Sequence, residues 1–216
     1  MSSTRLPGKV LMEIGGKPLL EHVIERIAQA ELDLPLIVCT STNQEDKKIK
    51  DLCDALNINC FQGSLLDVAS RFVEISKIYQ LSSFIRISGD SPLIDSNIIN
   101  NFFTKWDLKY DILTNVFPRS YPTGQSVEIV NANTFKLNVC NFNSSEECEH
   151  VTHYFYQRSK EFKIKNLKCE ENLSNYCLAV DSKADFQKVS KLIKKTGSNW
   201  KYLGFKELLS IYNSLN

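Results

Sequence analysis

Ser2-Ser3-Thr4-Arg5-Leu6-Pro7-Gly8-Lys9 gathers small hydroxylated residues, a Pro-Gly turn and two cations in one short stretch. Backbone amides and the hydroxyls of Ser3 and Thr4 can surround phosphate oxygens in such a loop, while Arg5 and Lys9 neutralise the charge of a triphosphate. The competing reading is a solvated, frayed terminus. A second candidate, Ser88-Gly89-Asp90-Ser91-Pro92, follows an apolar segment. A Gly-Asp pair at the carboxyl end of a parallel strand carries its carboxylate into the crevice where open α/β sheets bind ligands; the alternative is an Asp that caps the next turn. Leu178-Ala179-Val180-Asp181 ends in the same way. If both strands are central and parallel, Asp90 and Asp181 converge, and two hard oxygen ligands completed by water and phosphate suit Mg²⁺. Cys148-Glu149-His150-Val151-Thr152-His153 holds a thiol and two imidazoles, but it lacks the fourth ligand and paired spacing of a structural zinc site. A substrate wall or a polar helix start accounts for it better.

Alternating helix and strand patterns must position these groups. Leu19, Leu20, Val23, Ile24, Ile27 and Ala30 line one face of a helix. The short apolar run around Leu36, Ile37, Val38 and Cys39 predicts a strand buried on both faces. A helix over 45–56 and a strand at 59–61 follow. Leu65, Val68, Ala69, Phe72, Ile75 and Tyr79 form a second amphipathic helix, then come a strand at 84–87, a helix over about 96–106 and a strand at 110–114. This order predicts an α/β fold with a mostly parallel sheet and helices on both faces. Beyond residue 115 the rhythm changes. Strands are expected at 127–130 and 162–167 and helices near 131–140 and 147–157, within an inserted subdomain at about 116–175 that shapes one wall of a pocket. Residues 176–180 are read as a return to the core sheet, and Ser182-Lys183-Ala184-Asp185 as a cap before the helix carrying Phe186, Val189, Leu192 and Ile193. One domain over 1–216 is expected.

Composition excludes several classes. The 43% hydrophobic and 24% charged fractions are those of a globular chain. A formal charge of +1 gives no global field for nucleic acid. Seven cysteines without a CxxC spacing, no apolar run of spanning length and no signal-peptide pattern predict a cytoplasmic protein without a membrane partner. GxGxxG, Walker A and nucleophile-elbow patterns are absent, and so is the Asp-x-Asp expected of a metal-dependent glycosyltransferase.

Ser3-Thr4-Arg5-Leu6-Pro7-Gly8-Lys9 with Gly16-Lys17-Pro18-Leu19 resembles the signature of the sugar-acid cytidylyltransferases, which include the CMP-KDO and acylneuraminate enzymes. The likeness is greatest to the spore-coat-polysaccharide (SpsF-like) branch. It runs in order through Gly63-Ser64, Asp67-Val68, Arg71-Phe72 and Arg86-Ile87, then Gly89-Asp90-Ser91-Pro92-Leu93-Ile94-Asp95. It continues with Arg119-Ser120-Tyr121-Pro122-Thr123-Gly124, Val127-Glu128, Glu149-His150-Val151-Thr152, Val180-Asp181 and Asp185-Phe186. The resemblance implies a three-layer α/β/α sandwich of the nucleotide-diphosphosugar-transferase type, with a mixed, mostly parallel sheet. It implies Mg²⁺ on Asp90 and Asp181, CTP phosphates on Arg5 and Lys9, and a homodimer formed through the 116–175 segment. Members of the family place an apolar strand and a Gln-Ala-Arg-like turn before the Ser-Thr-Arg segment. This sequence starts inside that loop, so the resemblance implies that the first strand is missing from it, either because the start was assigned too late or because the protein is truncated.

The expected reaction is attack of a sugar hydroxyl on the α-phosphate of CTP with loss of pyrophosphate, for surface or spore-coat polysaccharide. Arg5, Lys9 and Asp90 are the expected catalytic groups, and Ser3, Thr4, Ser88 and Gly89 complete the nucleotide site. Arg119, Tyr121, Gly124, Glu128 and His150 are the expected sugar contacts. Two rival readings stand beside this one: a same-fold transferase using another nucleotide, and a non-catalytic relative acting as an interaction or regulatory subunit.

Overall fold

The computed structural model describes residues 5–215. A short hairpin, β1 (Glu13–Ile14) with β2 (Lys17–Pro18), leads into α1 (Leu19–Ala28), whose Leu19, Leu20, Val23 and Ile24 are buried. Next come β3 (Ile37–Ser41), α2 (Lys47–Ala55), β4 (Asn59–Gly63), α3 (Val68–Ile78), β5 (Ser83–Arg86), α4 (Ser96–Lys105) and β6 (Ile112–Thr114). The chain continues through β7 (Glu128–Asn131), α5 (Ala132–Asn138), α6 (Ser145–Glu149), α7 (His153–Gln157) and β8 (Ile164–Asn166), and ends in α8 (Lys183–Thr196) and α9 (Phe205–Asn213).

Side-chain oxygens set several helix starts. Asp67 accepts from the Ser70 amide at 2.9 Å before α3, and Asp95 accepts from the Asn97 amide at 2.9 Å before α4. Ser182 and Asp185 form the reciprocal capping box that the sequence predicts before α8.

The larger sheet has the order β5-β7-β6-β8. Strands β5 and β6 both run antiparallel to β7, and β8 runs parallel to β6, so β7 alone opposes the common direction. Registration lines up Phe84, Val130, Ile112 and Ile164 across the four strands. This row packs on α3, α5 and α7 through Val73, Phe135 and Phe155. One residue along, Ile85, Ile129 and Leu113 face the opposite way, onto Ile98 and Phe102 of α4 and Phe205 of α9. The period-2 alternation thus supplies both faces of the sheet, and helices cover each, which gives the α/β/α layering. Strands β3 and β4 form a separate parallel pair. Among the described residues, β3 pairs only with β4 and β5 only with β7.

Three expectations need correction. Residues 176–180 are not a strand of the core sheet: Cys177 makes a single parallel bridge to Thr123, and Leu178, Ala179 and Val180 are buried as irregular chain. The apolar run reflects burial rather than sheet pairing. The helix expected over 147–157 is two short helices, α6 and α7, separated where Val151 takes a φ of 49°. The 116–175 segment, read as an insertion, instead supplies β7 and β8 to the larger sheet, with β7 between β5 and β6.

Candidate functional site

Pro7 and Gly8 turn the chain so that Lys9 points inward. Gly8 has a φ of 70° and precedes a 3₁₀ turn at Lys9–Leu11, closed by the Leu11 amide on the Gly8 carbonyl at 2.9 Å. The Lys9 side chain is only 11% exposed, and its Nζ donates to Asp90 Oδ2 at 2.7 Å and Asp181 Oδ1 at 2.8 Å. Arg5 approaches the second Asp181 oxygen at 3.3 Å, while Ser91 Oγ donates to the second Asp90 oxygen at 3.3 Å. Burial lowers the affinity of Lys9 for its proton, but the hydrogen bonds and charges of Asp181 and Asp90 outweigh it. The pKa therefore lies above the ordinary lysine value and the group stays an ammonium.

The convergence of Asp90 and Asp181 does not come from two parallel strands. Asp90 lies just beyond β5, and the Val180 amide donates to the Asp90 backbone carbonyl at 2.9 Å, stitching the two segments side by side. A buried amide frame holds the opposite wall. Gln125 accepts from the Asp95 amide at 2.9 Å and donates to the Leu93 carbonyl at 2.7 Å. Asn115 donates to the Gln125 carbonyl at 2.7 Å and accepts from the Val127 amide at 3.0 Å. Gly124, with a φ of 91°, is thereby pressed against the 178–179 backbone.

These walls enclose a crevice of about 200 Å³. Arg86, Ser88, Asp90 and Ser91 line one side, and Thr123, Gly124, Ser126, Ala179 and Asp181 the rest. At its rim the sheet turns polar. One pleat beyond the apolar row, Arg86, Glu128, Thr114 and Asn166 stand in register. Glu128 is 2% exposed. Its carboxylate takes Arg86 on one oxygen, and Thr152 (2.8 Å) and Tyr156 on the other. Burial and the Glu128 charge push the Tyr156 phenol well above its ordinary pKa, so it remains a donor. A wider cleft of about 670 Å³ lies between Pro7-Gly8 and the residues that open α2, including Lys47 and Lys48.

The structure thus brings Arg5, Lys9, Asp90, Asp181, Ser88 and Gly124 to one place, with Gly89 leading directly into Asp90. Arg119 sits behind the wall, its guanidinium on Ser126 Oγ at 3.1 Å. Glu128 holds Arg86 rather than lining the crevice. Tyr121 is a core residue against Phe205, 5.6 Å between ring centres, and His150 is exposed beyond the crevice lining. Both were expected to touch a sugar. Tyr121 departs because its ring completes the apolar layer under α9, and His150 because Val151 turns the chain there. Ser3 and Thr4 lie outside the described residues. Gln125 and Asn115 escaped the sequence reading, and Arg86 entered it only through the Arg86-Ile87 likeness, with no role attached; an Arg within an otherwise apolar strand is the signal that could have marked it.

Asp90 and Asp181 converge on one cation, the Lys9 ammonium, which brings two carboxylates to a single point of the crevice. Among the described residues, no group of three or more His, Cys, Asp and Glu could hold a metal ion. A two-carboxylate site suits an ion that keeps water and phosphate ligands, as Mg²⁺ does.

No helix among the described residues is long and apolar enough to cross a membrane. A family profile described as cytidylyltransferase matches residues 1–206. The chain is 32% identical over 197 residues to an uncharacterized protein of Methanocaldococcus jannaschii, covering 89% of this chain and 79% of that one. It is 29% identical over 210 residues to the spore coat polysaccharide biosynthesis protein SpsF of Bacillus subtilis, covering 91% and 84%. Over 100 residues it is 32% identical to the 3-deoxy-manno-octulosonate cytidylyltransferase of Trichlorobacter lovleyi, covering 45% and 38%. Among solved structures, a cytidylyltransferase from Leptospira borgpetersenii superposes with a TM-score of 0.92 at 26% identity, over 99% of this chain and 90% of that one. A CMP:2-keto-3-deoxy-manno-octonic acid synthetase complexed with CTP has the same fold, with a TM-score of 0.68 at 18% identity over 89% and 94%. With nearly its whole length inside the family profile and its fold shared with these enzymes, the chain belongs to the cytidylyltransferase family.

Proposed function

We propose that the protein transfers CMP from CTP to a hydroxyl of an acidic sugar destined for surface or spore-coat polysaccharide. The observation that carries this reading is the convergence of Lys9, Arg5, Asp90 and Asp181 on one crevice beyond the carboxyl end of β5. The sugar oxygen forms a bond to the α-phosphorus, the bond from that phosphorus to the bridging oxygen breaks, and pyrophosphate leaves with the bonding pair. The hydroxyl proton passes to solvent. Arg5 and Lys9 bind the triphosphate and offset charge on the leaving group, an electrostatic role that needs no protein nucleophile. Asp90 and Asp181 would hold Mg²⁺, which supplies charge neutralisation at the phosphates. Ser88 and Gly124 shape the crevice, and Arg86, fixed by Glu128, presents a cation to the acidic sugar. The named activity of the 3-deoxy-manno-octulosonate cytidylyltransferase relative supports the choice of CTP and of the sugar class, and the named role of the SpsF relative in spore coat polysaccharide biosynthesis supports the destination. A manganese complex of a same-fold protein from Mycobacterium tuberculosis is consistent with a divalent ion.

The test is pyrophosphate release from CTP with Mg²⁺ and a panel of acidic sugars, beside thermal melts with each nucleotide. At about 100 times its dissociation constant, CTP with Mg²⁺ should stabilise the fold by roughly 2.7 kcal/mol. Asp90→Asn should lose at least about 100-fold in turnover, corresponding to about 2.7 kcal/mol of transition-state stabilisation. Full turnover in that variant, or no stabilisation by CTP with Mg²⁺, would refute the reading.

A further inference from the structure

Lys9 has two sets of anions within its chemistry: the carboxylates it already bridges, and the phosphates of a nucleotide. Its ammonium takes one oxygen of Asp90 at 2.7 Å and one of Asp181 at 2.8 Å. It thus occupies the point on which both carboxylates converge, and with the side chain 11% exposed, water offers it little alternative. The remaining Asp181 oxygen faces Arg5. Two cations therefore balance two carboxylates, and the cluster is formally neutral without any ligand.

A divalent cation arriving alone would need the oxygens that Lys9 holds. Its bonds to oxygen are shorter, about 2.0–2.1 Å for Mg²⁺, so the ammonium and the metal cannot share the position. The displaced ammonium would then face a dication in a half-buried crevice whose described lining holds no acid besides Asp90 and Asp181. Arg5 cannot relieve this, because it adds positive charge. A metal–triphosphate complex brings net negative charge, and its phosphate oxygens accept the displaced ammonium.

We infer that Lys9 is an internal counter-ion: it keeps the Asp90–Asp181 pair from taking up a divalent metal alone and yields it when a nucleoside triphosphate arrives. This rests on the assignment of the two carboxylates as the metal site. Metal and nucleotide then bind with positive coupling, and Lys9 is the side chain that carries the coupling.

Mn²⁺ serves as the probe, its free concentration read by electron paramagnetic resonance on the intact protein without nucleotide. Lys9→Met should bind Mn²⁺ at least about tenfold more tightly than the parent, within the usual range of coupling between two ligands. Lys9→Gln, which keeps an amide donor toward the carboxylates, should behave in the same direction and guards against a Met variant that folds poorly. Mn²⁺ should raise the melting temperature of either variant more than that of the parent. A variant that folds only once Mn²⁺ is added supports the inference, whereas two variants that Mn²⁺ cannot fold count against it. Folded variants that bind Mn²⁺ no more tightly than the parent would overturn it. The double variant Lys9→Met/Asp90→Asn tells the two claims apart. If it loses the tight binding, Asp90 is a ligand; if it keeps it, the metal assignment itself fails, and the counter-ion inference with it.

Discussion

Replacing Gly124 by Ala asks whether the crevice depends on one close backbone approach. An ideal Cβ at Gly124 would lie 2.6 Å from the Ala179 nitrogen and 2.7 Å from the Leu178 carbonyl carbon. Both are backbone atoms, so no side chain can swing aside. The φ of 91° adds a cost of about 1–2 kcal/mol for any residue with a Cβ. Relief requires 123–125 and 177–180 to separate, which stretches the Leu178 amide from the Thr123 carbonyl (2.7 Å) and the Thr123 amide from the Tyr176 carbonyl (2.9 Å). At about 0.5–1.5 kcal/mol for each bond, the expected total loss is about 2–5 kcal/mol. Gly16→Ala is the control: its φ of 81° carries the same backbone cost, but nothing lies within 4 Å of its Cβ. It should lose only about 1–2 kcal/mol. Urea unfolding of both variants measures the difference, and pyrophosphate release should fall in Gly124→Ala alone, because the 177–180 shift carries Asp181 away from Asp90. Equal urea midpoints with full turnover in Gly124→Ala would refute the claim that this approach builds the site.

Glu128→Gln keeps size and removes the charge that holds Arg86, whose side chain is 26% exposed. A loss of about 1–3 kcal/mol in urea unfolding is expected, together with a sugar KM that rises more than the KM for CTP; equal rises would mean that Arg86 does not serve the sugar. His22 lies 3% exposed with Nε2 donating to the Ile14 carbonyl at 2.8 Å, and burial holds its pKa below the ordinary value of 6.5 despite that bond. The unfolded chain therefore binds the proton more readily, and the stability His22 contributes is present above about pH 6.5 and lost as pH falls through the folded value. Urea midpoints between pH 7.5 and 5 should fall more steeply for the parent than for His22→Asn, and identical slopes would remove His22 as the cause.

Local chemistry made much of the fold legible. The Ser182–Asp185 box is written within four residues, because a capping box closes on adjacent backbone. The short apolar runs at 84–87, 110–114 and 127–130 were legible as strands, since runs of that length between polar segments suit chain buried in a sheet. Where the reading failed, burial and regular structure had parted company. Residues 176–180 are apolar because they are buried, yet they pair through one bridge only. The break at Val151 has no local signal, because a β-branched residue is a poor candidate for positive φ and only surrounding packing holds it there. Arg86, Glu128 and Thr114 belong to segments that the sequence could not place in register, so their alignment at the rim was invisible.

By itself the sequence determined most of the element types, the α/β class and the chemical character of the loop at Arg5–Lys9 and of the acids at 90 and 181, because propensity, periodicity and side-chain type are properties of short stretches. Only the tertiary structure decided which of these groups meet. Lys9 lies 81 residues from Asp90 and 172 from Asp181. What joins them is the exit of β5, the Val180–Asp90 stitch and the buried Gln125 frame, all long-range contacts whose geometry no short stretch of chain contains.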